Sequence, residues 1–153
     1  MSTEEPSPSA EAPPVFHVEK LYLKDLSFES PNAPEVFRDH PEPTVEFNLE
    51  MGSAQKGPEH FETTLHVTLK VATGERALFL VELTFAGLFL LRNVPPALLA
   101  PTLGIDCPTI LFPYVRQLVS EMVTQGGFRP MVLDPINFAA LFHQTLNKKQ
   151  AEP

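Results

Sequence analysis

A strict alternation of apolar and polar residues shapes the first two thirds of this chain. Between Leu65 and Val71 every second residue is apolar, and Thr, His or Lys fills the positions between. A side-chain period of two is typical of a β-strand with one buried and one wet face. Related patterns occupy residues 16–30, 44–51 and 76–91. Four consecutive strands joined by turns favour an antiparallel sheet over strand–helix–strand units.

In the first of these strands, the apolar residues change from odd-numbered to even-numbered positions half-way along. Leu21 and Leu23 share one parity, whereas Leu26 and Phe28 share the other. The exchange predicts a β-bulge, or a change of buried face, at residues 24–25.

The fourth strand is largely apolar on both faces. Phe79, Val81 and Leu83 lie on one face, whereas Leu78 and Leu80 lie on the other. Such a strand predicts a sheet that is covered on one side and engaged or partly exposed on the other.

Helical spacing replaces the alternation after residue 92. Residues 92–108 contain four prolines and many apolar residues and are predicted to form a long irregular crossover loop. A first helix is predicted over residues 108–126, and a second begins with Asp134 as its N-cap and Pro135 as its first helical residue. The fold class is therefore α+β: a four-stranded antiparallel sheet, a long crossover loop and two helices.

Composition sets the boundaries of the domain. Residues 1–14 form a predicted disordered, acidic, Pro-rich tail, residues 148–153 a flexible C-terminal tail, and residues 15–147 one domain. The net charge of -8 argues against binding to nucleic acid or to an anionic membrane surface. The N-terminus lacks the features of a signal peptide, and no uninterrupted apolar run approaches the roughly 20 residues of a membrane span, so cytoplasmic localisation without membrane insertion is expected.

The search for catalytic chemistry returns little. The chain has no glycine-rich phosphate loop, no nucleophile elbow and no zinc-protease motif, and its five histidines lack ligand-pair spacing. His66 is predicted to be a solvated surface residue. The single cysteine, Cys107, rules out an internal disulfide, and its place before a helix predicts either an incidental thiol or a nucleophile.

Two carboxylates lie on the polar face of the first strand. Asp25 and Glu29 are about 13 Å apart along an extended strand, which exceeds the spacing of a cooperating acid–base pair. A merely solvated face and a docking surface for a basic partner both remain open. No enzyme activity, cofactor or metal is therefore predicted.

Three longer motifs resemble the SecB family of bacterial protein-export chaperones. They are "LYLKDLSFESPNAPEVF" (21–37), "LFLVEL" (78–83) and "GIDCPTILFPYVRQLVSEMVTQGGFRPMVLDPINFAALF" (104–142). Together with the strand spacing, the resemblance covers the chain from Val15 to about Leu146. It implies an ATP-independent holdase that keeps unfolded preproteins competent for export, delivers them to the ATPase SecA, and assembles as a homotetramer, a dimer of dimers.

The resemblance also assigns residues. Docking of a basic, zinc-bearing tail of SecA falls on Asp25, Glu29, Leu80 and Glu82, and the zinc would belong to SecA. The implied client-binding groove comprises Val18, Leu21, Val94, Leu98, Leu103, Phe138, Leu141 and Phe142. The helix stripe predicted to serve both core and oligomer interface comprises Leu111, Val115, Leu118 and Met122.

Two other functions remain open at this point. A SecB-like chaperone can guard a toxin–antitoxin pair by binding the antitoxin, and genomic neighbourhood would distinguish that role. A small apolar-ligand binder or enzyme on the same fold would depend on the crossover region and Cys107.

Overall fold

Four long strands and a carboxy-terminal helical layer make up the protein in a computed structural model, which describes residues 12–38 and 42–151. The strands are β1 (Val15–Glu29), β2 (Thr44–Gln55), β3 (His60–Thr73) and β4 (Arg76–Arg92). A short 3-10 turn, Glu35–Phe37, follows β1. The helices are α1 (Pro96–Pro101), α2 (Cys107–Gln125) and α3 (Phe138–Ala151), and a π-helical turn, Thr102–Asp106, joins α1 to α2.

All neighbouring strands pair antiparallel, in the order β1-β4-β3-β2. The predicted α+β class and antiparallel sheet are confirmed. β3 and β4 are central, and every fully buried side chain of the four strands belongs to one of them. β1 and β2 are the edge strands, and their side chains are half-buried or exposed.

The predicted bulge in β1 is confirmed. The register of β1 against β4 shifts between Leu23 and Asp25, where the apolar parity changes in the sequence. A second shift, between Val18 and Lys20, was not predicted. The bulge keeps Leu26 and Phe28 packed towards the core, so Asp25 points to the opposite face.

The crossover was predicted to be irregular, and this is wrong. Residues 96–106 are helical and continue into α2. Pro96 occupies the start of α1, where the missing N–H costs no hydrogen bond. The π-helical turn lies between Pro101 and Pro108, where each missing N–H interrupts the regular hydrogen-bond ladder. The prolines therefore mark irregular points inside one helical run.

The predicted start of the second helix is also wrong. Residues 131–137 have no regular structure, and α3 begins at Phe138. Asn137 is the cap, because its Oδ1 accepts a hydrogen bond of 3.0 Å from the backbone N–H of Ala140. In this irregular segment Leu133 is buried and Ile136 packs against the core, in place of the helix that Asp134 would have started.

The core lies between one face of α2 and the inner face of β3 and β4. Leu111, Val115 and Val119 are fully buried against the sheet. Gly87 on β4 allows this close approach, since a Cβ there would lie 2.9 Å from Leu111 Cδ2. The helical run Pro96–Gln125 is also long and apolar enough to cross a membrane by length and composition, a criterion that a core helix equally meets.

The predicted tails fall partly outside the described residues. Residues 1–11 are not among them, so the expectation for most of 1–14 lies outside the structure. The expected tail 148–153 begins inside α3, which continues to Ala151.

Candidate functional site

The outer face of the sheet brings the four predicted docking residues together. Glu29 lies directly opposite Leu80, Asp25 opposite Thr84, and Glu82 lies between these two rows. Directly opposed side chains on neighbouring antiparallel strands are about 5 Å apart at Cβ. Asp25, Glu29, Leu80 and Glu82 therefore form one patch across β1 and β4, called the acidic patch below. Its three carboxylates are exposed and Leu80 is half-buried.

A histidine that sequence reasoning left as a solvated residue contacts this patch. His66 on β3 places Nε2 3.1 Å from Oε1 of Glu82 and Nδ1 2.7 Å from Oγ1 of Thr84. Only the cross-strand register reveals this contact, because the two partners lie 16 and 18 positions away in the sequence. No local motif could have identified it.

A second polar cluster supports the bulge beside the acidic patch. The Tyr22 hydroxyl donates a hydrogen bond to Glu62 Oε2, and Lys24 Nζ lies 3.2 Å from the same oxygen. Burial, reinforced by the hydrogen bond and the charge of Glu62, raises the pKa of Tyr22 to about 12. The Tyr22 hydrogen bond, followed by Lys24, lowers the pKa of Glu62. Glu62 thus joins β1 to β3 across β4, and its charge is already paired within the chain.

Open apolar clefts lie on other parts of the described surface. The first, of about 450 Å³, lies between the start of β1 and α1 and includes Val94 and Leu98. The second, of about 540 Å³, lies between β2 and α3 and includes Leu141. Clefts of this size, with apolar walls, are typical of sites that accept apolar side chains.

The third cleft was not predicted. Its volume is about 550 Å³, and Phe37, Phe79 and Phe128 line it. The three rings are in contact, with centroids 4.8 Å apart for Phe79 and Phe128 and 5.1 Å for Phe37 and Phe128. The available sequence signal was the use of 12 phenylalanines and no tryptophan, but these rings come from three separate segments.

The structure does not collect the eight predicted groove residues into one groove. Val94 and Leu98 share the first cleft, and Leu141 lies in the second. Phe138 is only 2% exposed and packs edge-to-face on Phe112 in the core. The others are half-buried: Val18, Leu21 and Leu103 pack against the core, and the Phe142 ring covers Gly104 of the π-helical turn.

The four predicted interface residues divide between two environments. Leu111 and Val115 are fully buried against this chain's own sheet. Leu118 and Met122 are half-buried on the flank of α2. The exposed side of the helix also presents Tyr114, which is 44% exposed and stacks on Phe85.

Cys107 is fully buried. Burial raises the pKa of its thiol to about 12, although a hydrogen bond with Thr63 acts in the opposite direction. A thiol of this kind is a poor nucleophile at neutral pH. Within the described ranges, no group of three or more His, Cys, Asp or Glu could hold a metal ion.

We expect Cys107 in the native protein at pH 8 to react with an aromatic disulfide reagent at least 100-fold more slowly than in the urea-unfolded chain. The absorbance of the released thiolate measures both rates. The unfolded chain serves as the control, because its one thiol should react completely. Rapid reaction of the native protein would show that the site of Cys107 opens readily.

Comparison with known families gives a match over most of the chain. The family described as preprotein translocase subunit SecB matches residues 9–149. The protein-export protein SecB of Magnetococcus marinus is 56% identical over 153 residues, covering 99% of this chain and 97% of that protein. The SecB protein of Azoarcus is 49% identical over 142 residues, covering 91% and 93%.

A solved structure shares the fold at low sequence identity. It is a SecB-like chaperone of Mycobacterium tuberculosis in complex with a peptide from an antitoxin. The TM-score is 0.66 at 15% identity, with 79% of this chain and 90% of that chain covered. At this identity the likeness supports the fold alone.

Proposed function

The chain belongs to the SecB family of protein-export chaperones, and from that membership we propose that it captures unfolded preproteins in its apolar clefts and delivers them to SecA through the acidic patch. The family is one of non-enzymatic chaperones. The observation that carries the proposal is the separation of two chemistries: open apolar clefts at the edges and helices, and exposed carboxylates on the outer sheet face.

The clefts fit a client that is unfolded and chemically varied. Their walls are mainly aliphatic and aromatic, and the hydrophobic effect that drives binding there is non-directional. Leu98 at the mouth of the first cleft is 53% exposed, and Val45 and Phe47 beside the other two are 48% and 40% exposed. Side chains in this state gain burial when an extended apolar segment covers them. Several separated clefts favour binding of one long chain at several points, which raises its overall affinity.

The acidic patch fits a basic partner that binds reversibly. Exposed carboxylates accelerate encounter with Lys and Arg side chains and contribute modest affinity, so the partner can leave after transfer. Leu80 between them offers a small apolar contact. A basic tail of SecA with its own zinc would meet these requirements without a metal on this chain.

We expect the working form to be a homotetramer, a dimer of dimers, in the cytoplasm. The half-buried flank of α2, with Leu118, Met122 and exposed Tyr114, is apolar surface that a partner copy would cover. Guarding of a toxin–antitoxin pair is the alternative, but the antitoxin-bound relative is too distant to favour it. A toxin gene beside this one would favour it.

Size-exclusion chromatography with light scattering tests the proposal directly. The protein should elute as a tetramer and form a stable complex with a urea-unfolded preprotein diluted into buffer, but not with its folded mature form. It should also suppress aggregation of that preprotein without ATP. A protein that neither binds the unfolded form nor suppresses its aggregation would refute the holdase proposal.

The variant Leu98→Ala should weaken client capture by about two- to five-fold. Roughly half of the Leu98 surface is exposed at the first cleft, and the substitution removes most of the apolar area that a client could cover there. The concentration needed for half-maximal suppression of aggregation measures this change. Leu146→Ala is the matched control, since Leu146 is 40% exposed but lines none of the three clefts described above. Equal loss in both variants would show that the first cleft has no special role.

A further inference from the structure

His66 lies in the middle of the outer face, where it bonds two neighbours on β4. Its Nε2 is 3.1 Å from Oε1 of Glu82, and its Nδ1 is 2.7 Å from Oγ1 of Thr84. A carboxylate accepts hydrogen bonds only, so Nε2 must be the protonated nitrogen when the imidazole is neutral. Nδ1 then accepts a hydrogen bond from the Thr84 hydroxyl. The ring orientation and the position of Glu82 are thereby fixed together.

We propose that His66 is a positioning residue that sets how much negative charge Glu82 offers to a basic partner. The proposal deepens the docking function proposed above and depends on it. A neutral His66 holds the Glu82 carboxylate by one hydrogen bond and leaves its full charge for a Lys or Arg of the partner. A protonated His66 forms an ion pair with Glu82 and cancels that charge. Docking is therefore weaker at mildly acidic pH.

The charged groups that face His66 are mostly carboxylates. Glu82 lies beside it on β4, Glu50 lies directly opposite on β2, and Asp25 on β1 lies beyond Thr84 in the same row. On β3 itself, Lys70 and Glu62 point to the same face four residues away on either side, and Tyr22 and Lys24 already bind Glu62. A proton on His66 and a cation of the partner thus compete for the same negative charge.

Competition of this kind has a reciprocal consequence. If protonation of His66 weakens docking, then docking must displace protons from His66 by the same coupling free energy. Imidazole changes charge between about pH 5 and 8, so the effect falls within a range that can be measured without denaturation. A purely structural histidine would not link partner binding to proton release.

The test compares three proteins in binding to purified SecA at pH 8 and pH 6: the wild type, His66→Gln and His60→Gln. Glutamine can still donate one hydrogen bond to Glu82 but cannot be protonated. His60 is the matched control, because it lies on β3 like His66 but pairs at 3.1 Å with Glu19 of β1, away from the acidic patch. Titration calorimetry in two buffers of different ionisation enthalpy reports affinity and protons released together.

For the wild type we expect affinity about two- to five-fold lower at pH 6 than at pH 8, with proton release on binding at the lower pH. His60→Gln should show the same pH dependence of affinity and the same proton release as the wild type. His66→Gln should lose the part of the pH dependence of affinity that comes from His66. Groups of SecA that titrate between pH 6 and pH 8 affect all three proteins equally, so they do not change this comparison. If His66→Gln binds SecA normally at pH 8 and keeps both the wild-type pH dependence of affinity and the wild-type proton release, the inference about His66 is overturned and the docking proposal stands. Absence of wild-type binding at pH 8 would overturn the docking proposal and this inference together.

Discussion

Leu111→Ala should lower the free energy of unfolding by about 2 to 5 kcal/mol. Leu111 is fully buried, and it packs at the point where α2 comes closest to β4, over Gly87. The glycine backbone cannot move into the space that the leucine leaves, so a cavity should remain between helix and sheet. Urea unfolding followed by circular dichroism, at one fixed protomer concentration, measures the change.

The control for this prediction is Leu146→Ala, the same substitution at a side chain that is 40% exposed. It should change the free energy of unfolding by less than about 0.5 kcal/mol. Similar unfolding midpoints for the two variants would mean that α2 is not fixed on the sheet as described. Because Leu111 lies inside the chain's own core, Leu111→Ala should reduce client capture only by reducing the amount of folded protein.

Reversal of charge in the acidic patch should have the largest effect on partner binding. The double variant Asp25→Lys, Glu82→Lys replaces two attractions to a basic partner by two repulsions. Exposed ion pairs each contribute about 0.2 to 1 kcal/mol, so two reversals should weaken SecA binding by roughly ten-fold or more. Both side chains are exposed, and client capture and oligomeric state should remain unchanged. Surface plasmon resonance at two salt concentrations measures the loss, which should be greater at low salt.

A matched control separates position from net charge. Glu42 and Glu46 are exposed and lie just before and on edge strand β2, two strands from the strand of Glu82. Glu42→Lys, Glu46→Lys changes the net charge by the same amount. An equal loss of SecA binding in this control would show that the loss depends on net charge and not on the position of the acidic patch. A double variant at Asp25 and Glu82 that fails to assemble would instead identify those residues as structural.

The sheet could be predicted from sequence because its signal is local. Alternation along β2 and β3 gave their faces, and the parity exchange between Leu23 and Leu26 gave the bulge. The crossover prediction failed because proline was interpreted as a breaker, whereas Pro96 starts a helix. The start of α3 failed because burial of Leu133 outweighed a good local capping signal at Asp134.

The relative placement of candidate site residues was predictable where they share two adjacent strands within familiar motifs, and their role stays a prediction. The acidic patch is of this kind, because the pairing of β1 with β4 sets the relative positions of its residues. The contact of His66 with Glu82 and the aromatic lining of the third cleft join segments that are distant in sequence. Their discovery requires the register of β3 and the path of the chain after Gly127, and neither follows from local pattern. Phe138, a predicted groove residue, lies buried in the core, because an apolar residue beside a groove can also belong to the core.

The strand order has a consequence for how such a protein can diversify. Fully buried strand residues are confined to β3 and β4, while β1 carries two of the three patch carboxylates and β2 borders two of the clefts. We expect substitutions at exposed positions of the edge strands to alter the proposed recognition at little cost to folding, whereas the inner faces of the central strands tolerate few changes. The fold thus keeps the buried inner faces of β3 and β4 apart from the exposed surfaces proposed for recognition, which lie on the edge strands and on the outer face of the central ones.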